Sequence, residues 1–152
     1  MKPPIRVVFD TNVLVSVFVF ADGRFAPLWD EVVSGRWLAL TNAACLAEFK
    51  RVLGYPLFSL PSEAQVAAYE VYLVHAYMIE AVVQPARALP QCQDKDDQKF
   101  LELARDGGAR WLIPADKLLL KLRRGRRLDG LFAILTPAEA LQKIGAGDTA
   151  LS

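Results

Sequence analysis

The sequence predicts an α/β fold with a central, mainly parallel five-stranded sheet covered by helices, and three observations carry that prediction. Its apolar strand candidates, IRVVF and RWLI among them, lack the regular polar alternation of a half-solvated strand, as parallel strands covered on both faces do. Helical segments alternate with them through short connections, the order that builds an open parallel sheet. The 152 residues, 53% hydrophobic and 23% charged, suffice for one domain with a sizeable core. We read residues 1–152 as that single domain, without internal repeat, low-complexity segment or linker.

The first strand is Ile5 to Phe9, and a helical segment begins at Asn12, leaving Asp10 between two apolar runs. A second helix fits Ala26 to Ser34 and ends at Gly35. Trp37 to Leu40 is the second strand; Thr41 and Asn42 are cap types, and Ala43 to Leu53 runs helically to Gly54. Pro56 and Pro61 mark a loop. Ser62 with Gln65 then resembles a capping box opening a helix through about His75, with Val66, Tyr69 and Leu73 on one face as a packing or partner surface. Ile79 to Val83 is the third strand candidate. Beyond Pro85 and Pro90, the acidic cluster QDKDDQKF leads into a helix over Asp96 to Asp106 that Gly107 and Gly108 end. Arg110 to Ile113 is the fourth strand, leading to Asp116. Leu131 to Leu135 is the fifth, and Pro137 opens a final helix, TPAEALQKI.

The run Val13 to Ala21 is too short to span a bilayer, and Met1 to Asp10 lacks the apolar stretch and cleavage site of a signal peptide. The expectation is a cytoplasmic protein with no membrane partner. Cys45 and Cys92 form no framework, which favours buried thiols over a disulfide. The formal net charge is +1, but residues 117–127, KLLLKLRRGRR, hold six basic side chains and no acid, leaving the rest of the chain at −5. Lys117, Lys121, Arg123, Arg124, Arg126 and Arg127 are thus either a solvated face or a track for an RNA phosphate backbone.

Ligands of open α/β sheets bind beyond the carboxyl ends of the strands. Four acids fall there: Asp10 after the first strand, Glu48 in the helix after the second, Asp97 at the start of the helix after the third, and Asp116 after the fourth. Two carboxylates about 4 Å apart repel by roughly 4 kcal/mol at an effective dielectric near 20, so four would take up protons or hold a cation. Oxygen ligands without paired cysteines favour Mg²⁺ or Mn²⁺ over zinc. Such ions lower the pKa of water and stabilise the charge on a phosphate under in-line displacement. Taken singly, each acid reads more readily as a cap or a solvated charge, and Asp94 and Asp96 suit a helix dipole. Asp10 is the hardest to explain that way, because an unpaired buried charge costs several kcal/mol. His75 reads as a packed or surface residue.

The segments FDTNVLVS, TNAACLAEFKRVL, DKDDQKFLELARDGGARWLI and PADK, in that order over about residues 5 to 141, resemble the PIN-domain ribonucleases, and more narrowly the bacterial toxin-like PIN proteins of toxin–antitoxin pairs. The resemblance implies a PIN-like three-layer fold. It also implies that Asp10, Glu48, Asp97 and Asp116 are metal-binding catalytic acids for Mg²⁺ or Mn²⁺, oriented by Thr11 and Asn12. Cleavage of RNA, a homodimer and an antitoxin partner are implied with it. Pro114, Ala115 and Leu118 stand where relatives commonly carry a Thr or Ser, a Gly and a further Asp, which bears on a second metal.

The expected function is a metal-dependent endoribonuclease, the toxin of such a pair. Two alternatives stay open: a catalytically weak PIN-like RNA- or protein-binding module, and an aspartyl-phosphate phosphatase using Asp10. Against the phosphatase, Asn12 replaces the second acid of a DxD motif.

Overall fold

The structure, a computed structural model, describes residues 2–80 and 87–145. Five parallel strands, β1 (Ile5–Phe9), β2 (Trp37–Thr41), β3 (Ala76–Met78), β4 (Trp111–Ile113) and β5 (Ala133–Ile134), pair in the order β3-β2-β1-β4-β5. Seven α-helices accompany them: α1 (Thr11–Phe18), α2 (Ala26–Val33), α3 (Ala43–Leu53), α4 (Ser62–His75), α5 (Gln98–Asp106), α6 (Lys117–Leu120) and α7 (Pro137–Gly145). The chain leaves β1 toward β2 on one side and returns as β4 on the other. The carboxyl end of β1 is therefore a switch point where a crevice opens.

Alternation along β1 separates two cores. Ile5, Val7 and Phe9 face one layer with Leu28, Trp29, Phe49 and Tyr72; Val8 faces the other with Phe100, Leu101, Leu103 and Leu112. The result is helix, sheet, helix. Two helices that carry site residues begin at side-chain caps. Asp10 accepts the Val13 N–H at 2.9 Å to start α1, and Asn42 accepts the Cys45 N–H at 2.9 Å to start α3. At the end of α5, a Cβ on Gly107 would lie 2.7 Å from Leu40 Cδ1, so that helix approaches β2 as closely as only glycine allows.

Four expectations need correction. The third strand is Ala76–Met78, not Ile79 to Val83, because α4 runs into the strand without a loop and Ala39 registers with Ala76. Ile79 still donates its N–H to the Thr41 carbonyl at 2.8 Å, and residues 81–83 lie outside the described residues. The fifth strand is only Ala133–Ile134. No capping box forms at α4: Ser62 is already helical, and the Gln65 amide donates to the Leu60 carbonyl. The box occurs at α7, where Thr136 and Glu139 exchange bonds of 2.9 and 3.1 Å. Finally, α4 buries Tyr72, while Val66 and Leu73 stay exposed. Tyr72 is drawn in by the rings of Trp29 and Phe49, with centroids 5.8 and 5.1 Å away.

Both cysteines are free and buried, and burial pushes the Cys45 thiol up to about 12, leaving it inert. His75 packs edge-on against Trp29, at 6.1 Å between centroids. Among the described residues, no helix is long and apolar enough to cross a membrane.

Candidate metal centre

All four predicted acids line one cavity of about 360 Å³, together with Thr11, Asn12, Asp94 and Asp96. Within it, three carboxylates come closest: Asp94, Asp97 and Asp116 each offer an oxygen, and these oxygens lie within 4.8 Å of one another. Asp10 and Glu48 stand outside that group.

Asp10 is 2% exposed, and both its oxygens accept backbone hydrogen bonds. Oδ1 takes the Val13 N–H, and Oδ2 takes those of Ala115 and Asp116, at 2.8 and 3.1 Å. Burial raises its carboxyl to about 6; the three N–H donors hold it down from going further. Asp10 thus ties the end of β1 to the loop that carries Asp116. With three backbone donors engaged, its carboxylate is held as a structural tie as well as a cavity wall.

Asp97 ends the short 3-10 turn Lys95–Asp97, and its Oδ2 is buried with no hydrogen-bond donor. Burial, and then the hydrogen-bonded Asp116 carboxyl, push Asp97 up to about 8, while the bond from Asp97 holds Asp116 below the usual carboxylate range. A proton shared between the two carboxyls would relieve their repulsion. Asp116 also accepts the Leu118 N–H at 2.8 Å to cap α6, and Asp94 caps the turn by accepting the Asp96 N–H at 2.9 Å. Each keeps lone pairs for a cation. A divalent ion within reach of three carboxylate oxygens would replace the shared proton and give the orphaned Asp97 oxygen a partner, so these residues fit a hard cation.

Glu48 has other company. Its Oε1 receives the Lys99 ammonium at 2.7 Å and lies 3.8 Å from the Arg51 guanidinium, and its Oε2 accepts the Thr11 hydroxyl. Lys99 also reaches the Asp96 carbonyl. Sequence reasoning missed Lys99, because its pairing with Glu48 joins two helices far apart in the chain. Asp94, which reads in the sequence as suiting a helix dipole, caps the turn as well.

In the basic tract, Lys117, Lys121, Arg124, Arg126 and Arg127 are exposed, whereas Arg123 bonds Glu139 at 2.5 Å. Leu118 is half-buried against the second core, and Leu119 is fully buried.

The sequence model of the PIN domain family matches residues 6–118. An uncharacterized protein of Methanocaldococcus jannaschii is 27% identical over 126 residues, spanning 80% of this chain and 77% of that protein. The T. brucei RRP44 PIN domain is similar in structure, with a TM-score of 0.47 and 13% identity over 96% of this chain and 83% of that one.

Proposed function

The chain belongs to the PIN domain family, and from that premise we propose that it is a Mg²⁺- or Mn²⁺-dependent endoribonuclease that hydrolyses RNA phosphodiester bonds. The buried, donorless Oδ2 of Asp97 among three clustered carboxylates is the observation that carries the reading. Such an arrangement is costly unless a cation completes it. When bound, the ion supplies positive charge to the scissile phosphate and eases deprotonation of the attacking water.

The chain's own residues do the rest. Asp94, Asp97 and Asp116 would hold the ion, Asp10 fixes the loop under Asp116, and Thr11 orients Glu48. Lys99 neutralises Glu48 and keeps a cationic group beside the cavity, where phosphate charge gathers. The exposed part of the basic tract guides the RNA backbone. The resemblance to toxin-like members supports a toxin role, with self-association and an antitoxin partner. Co-purification with a neighbouring gene product and light scattering test those two points.

Cleavage of single-stranded RNA should require Mg²⁺ or Mn²⁺ and stop in EDTA. Asp97→Asn and Asp116→Asn should each lower it by about a hundredfold or more while circular dichroism stays unchanged. Full activity of both variants, or undiminished cleavage in EDTA, overturns the reading.

A second reading, a PIN-like module with little activity, is favoured by one observation: Glu48 is already neutralised by Lys99. Metal-dependent turnover separates the two.

A further inference from the structure

Tyr55, Leu57 and Phe58 line the same cavity as the carboxylates, yet none belongs to either core layer. Leu57 is 85% exposed, Tyr55 42%, and Phe20, whose ring meets that of Phe58, 61%. Large apolar side chains left in water around a polar site call for an occupant. The rings are also organised. Phe58 lies near-parallel to Tyr55, 13° between planes with centroids 6.4 Å apart, and meets Phe20 edge-on at 5.5 Å.

The backbone spends conformational energy to hold them. Among the described residues, only two other than glycine have positive φ: Ala21, at 48°, and Ser59, at 49°. One directly follows Phe20 and the other directly follows Phe58. Left-handed backbone at such residues is uncommon and concentrates where a chain is held for function. Pro56 opens the 3-10 turn that carries Leu57 and Phe58, and Phe58 donates its N–H to the Tyr55 carbonyl at 3.0 Å, which fixes the turn.

We propose that Phe20, Tyr55, Leu57 and Phe58 form a stacking shelf for an unpaired base of the RNA next to the phosphate that is cut. The inference rests on the nuclease reading above and adds a base-binding subsite to it. An aromatic face suits any nucleobase, so the shelf selects for an unstacked base rather than for sequence. A base is favoured over an apolar protein segment because Tyr55, Leu57 and Phe58 wall a cavity of about 360 Å³, within the size of small-molecule sites, and share it with the carboxylates, while Phe20 backs Phe58. A cation also stands near its edge: the Arg51 guanidinium lies 3.8 Å from Glu48, which lines the same cavity as Tyr55, where it can meet the adjoining phosphate.

The test uses a 12-nucleotide single-stranded RNA carrying 2-aminopurine at one position at a time, titrated with the full chain in Ca²⁺. The probe should be quenched at one or two adjacent positions. Tyr55→Ala with Phe58→Ala should abolish the quenching and weaken binding about 5- to 100-fold. Phe58→Trp should retain both. In Mn²⁺, the double variant should raise KM and leave kcat near its original value, with the far-ultraviolet spectrum and Mn²⁺ affinity unchanged. The same RNA annealed to its complement should bind without quenching. Unchanged KM and binding in the double variant, while Asp116→Asn abolishes cleavage, overturns the shelf and leaves the nuclease standing. A wild-type chain that neither binds nor cuts RNA overturns both. Shelf variants that handle RNA normally but turn a self-associating chain monomeric assign the shelf to a protein contact and overturn the inference.

Discussion

Asp97 should make the metal-free protein lose stability as the pH rises from 6 to 8, in a range where few carboxylates act. Its carboxyl is raised from the ordinary 3.8 to about 8 in the folded chain, by burial and by Asp116. Folding therefore takes up a proton between those values. The stability it contributes is fully present below pH 3.8 and is lost as the pH rises through about 8. A fully coupled group would give about 1.4 kcal/mol per pH unit, or about 2.7 kcal/mol over two units. Asp97 is only half-buried, and solvent screening brings this to about 1 kcal/mol. Urea denaturation in EDTA at pH 6, 7 and 8 should show that decline in the wild type and a flatter profile in Asp97→Asn. Comparing the two cancels the titrating groups that do not touch Asp97. Saturating Mn²⁺ should reverse the wild-type slope, because the ion takes the deprotonated form. A wild-type decline in EDTA equal to that of Asp97→Asn would refute the shared proton.

Lys99→Met should free Glu48, so calorimetry should find one Mn²⁺ per wild-type chain and an additional weaker ion in the variant. RNA affinity should fall with salt along a log–log slope no steeper than about −3.5, five contacts at about −0.7 each, since Glu139 holds Arg123; fluorescence anisotropy reads it. Arg36→Ala should cost about 2 kcal/mol in urea denaturation, because it strands the buried Glu31 carboxylate that Arg36 grips at 2.8 and 2.9 Å. Gly107→Ala should lower stability by about 1–3 kcal/mol by driving a methyl against Leu40.

What the sequence made legible was whatever depends on neighbours along the chain. β1 and α3 keep their predicted bounds, because apolar runs without polar alternation and a cap residue at Asn42 are local signals. What depends on distant segments was harder to see. Ser62 with Gln65 and Thr136 with Glu139 carry the same spacing, yet only the second pair closes a capping box; at the first, Gln65 is taken by Leu60. Val66 and Leu73 share a helix face with Tyr69, but the cluster of Trp29, Phe18 and Phe49 turns α4 so that Tyr72 is buried instead. Asp94 suits a helix dipole in the sequence and caps a turn in the fold. Its nearness to Asp116, more than twenty residues on, arises only when the turn after Pro90 packs beside the end of β4. Glu48 lies where the sequence expects it, but its pairing with Lys99 joins α3 to α5 and leaves no pattern within either segment.

Asp94 also separates a three-carboxylate centre from one built on Asp97 and Asp116 alone. Mn²⁺ titrated by calorimetry into metal-free wild type and Asp94→Asn at pH 7, with RNA cleavage measured on the same samples, tests this most directly. The account predicts one ion in the wild type, bound at least about tenfold more weakly in Asp94→Asn, with cleavage falling in parallel as the metal is lowered. Equal Mn²⁺ affinity in the two proteins, or no Mn²⁺ binding by the wild type, would contradict it.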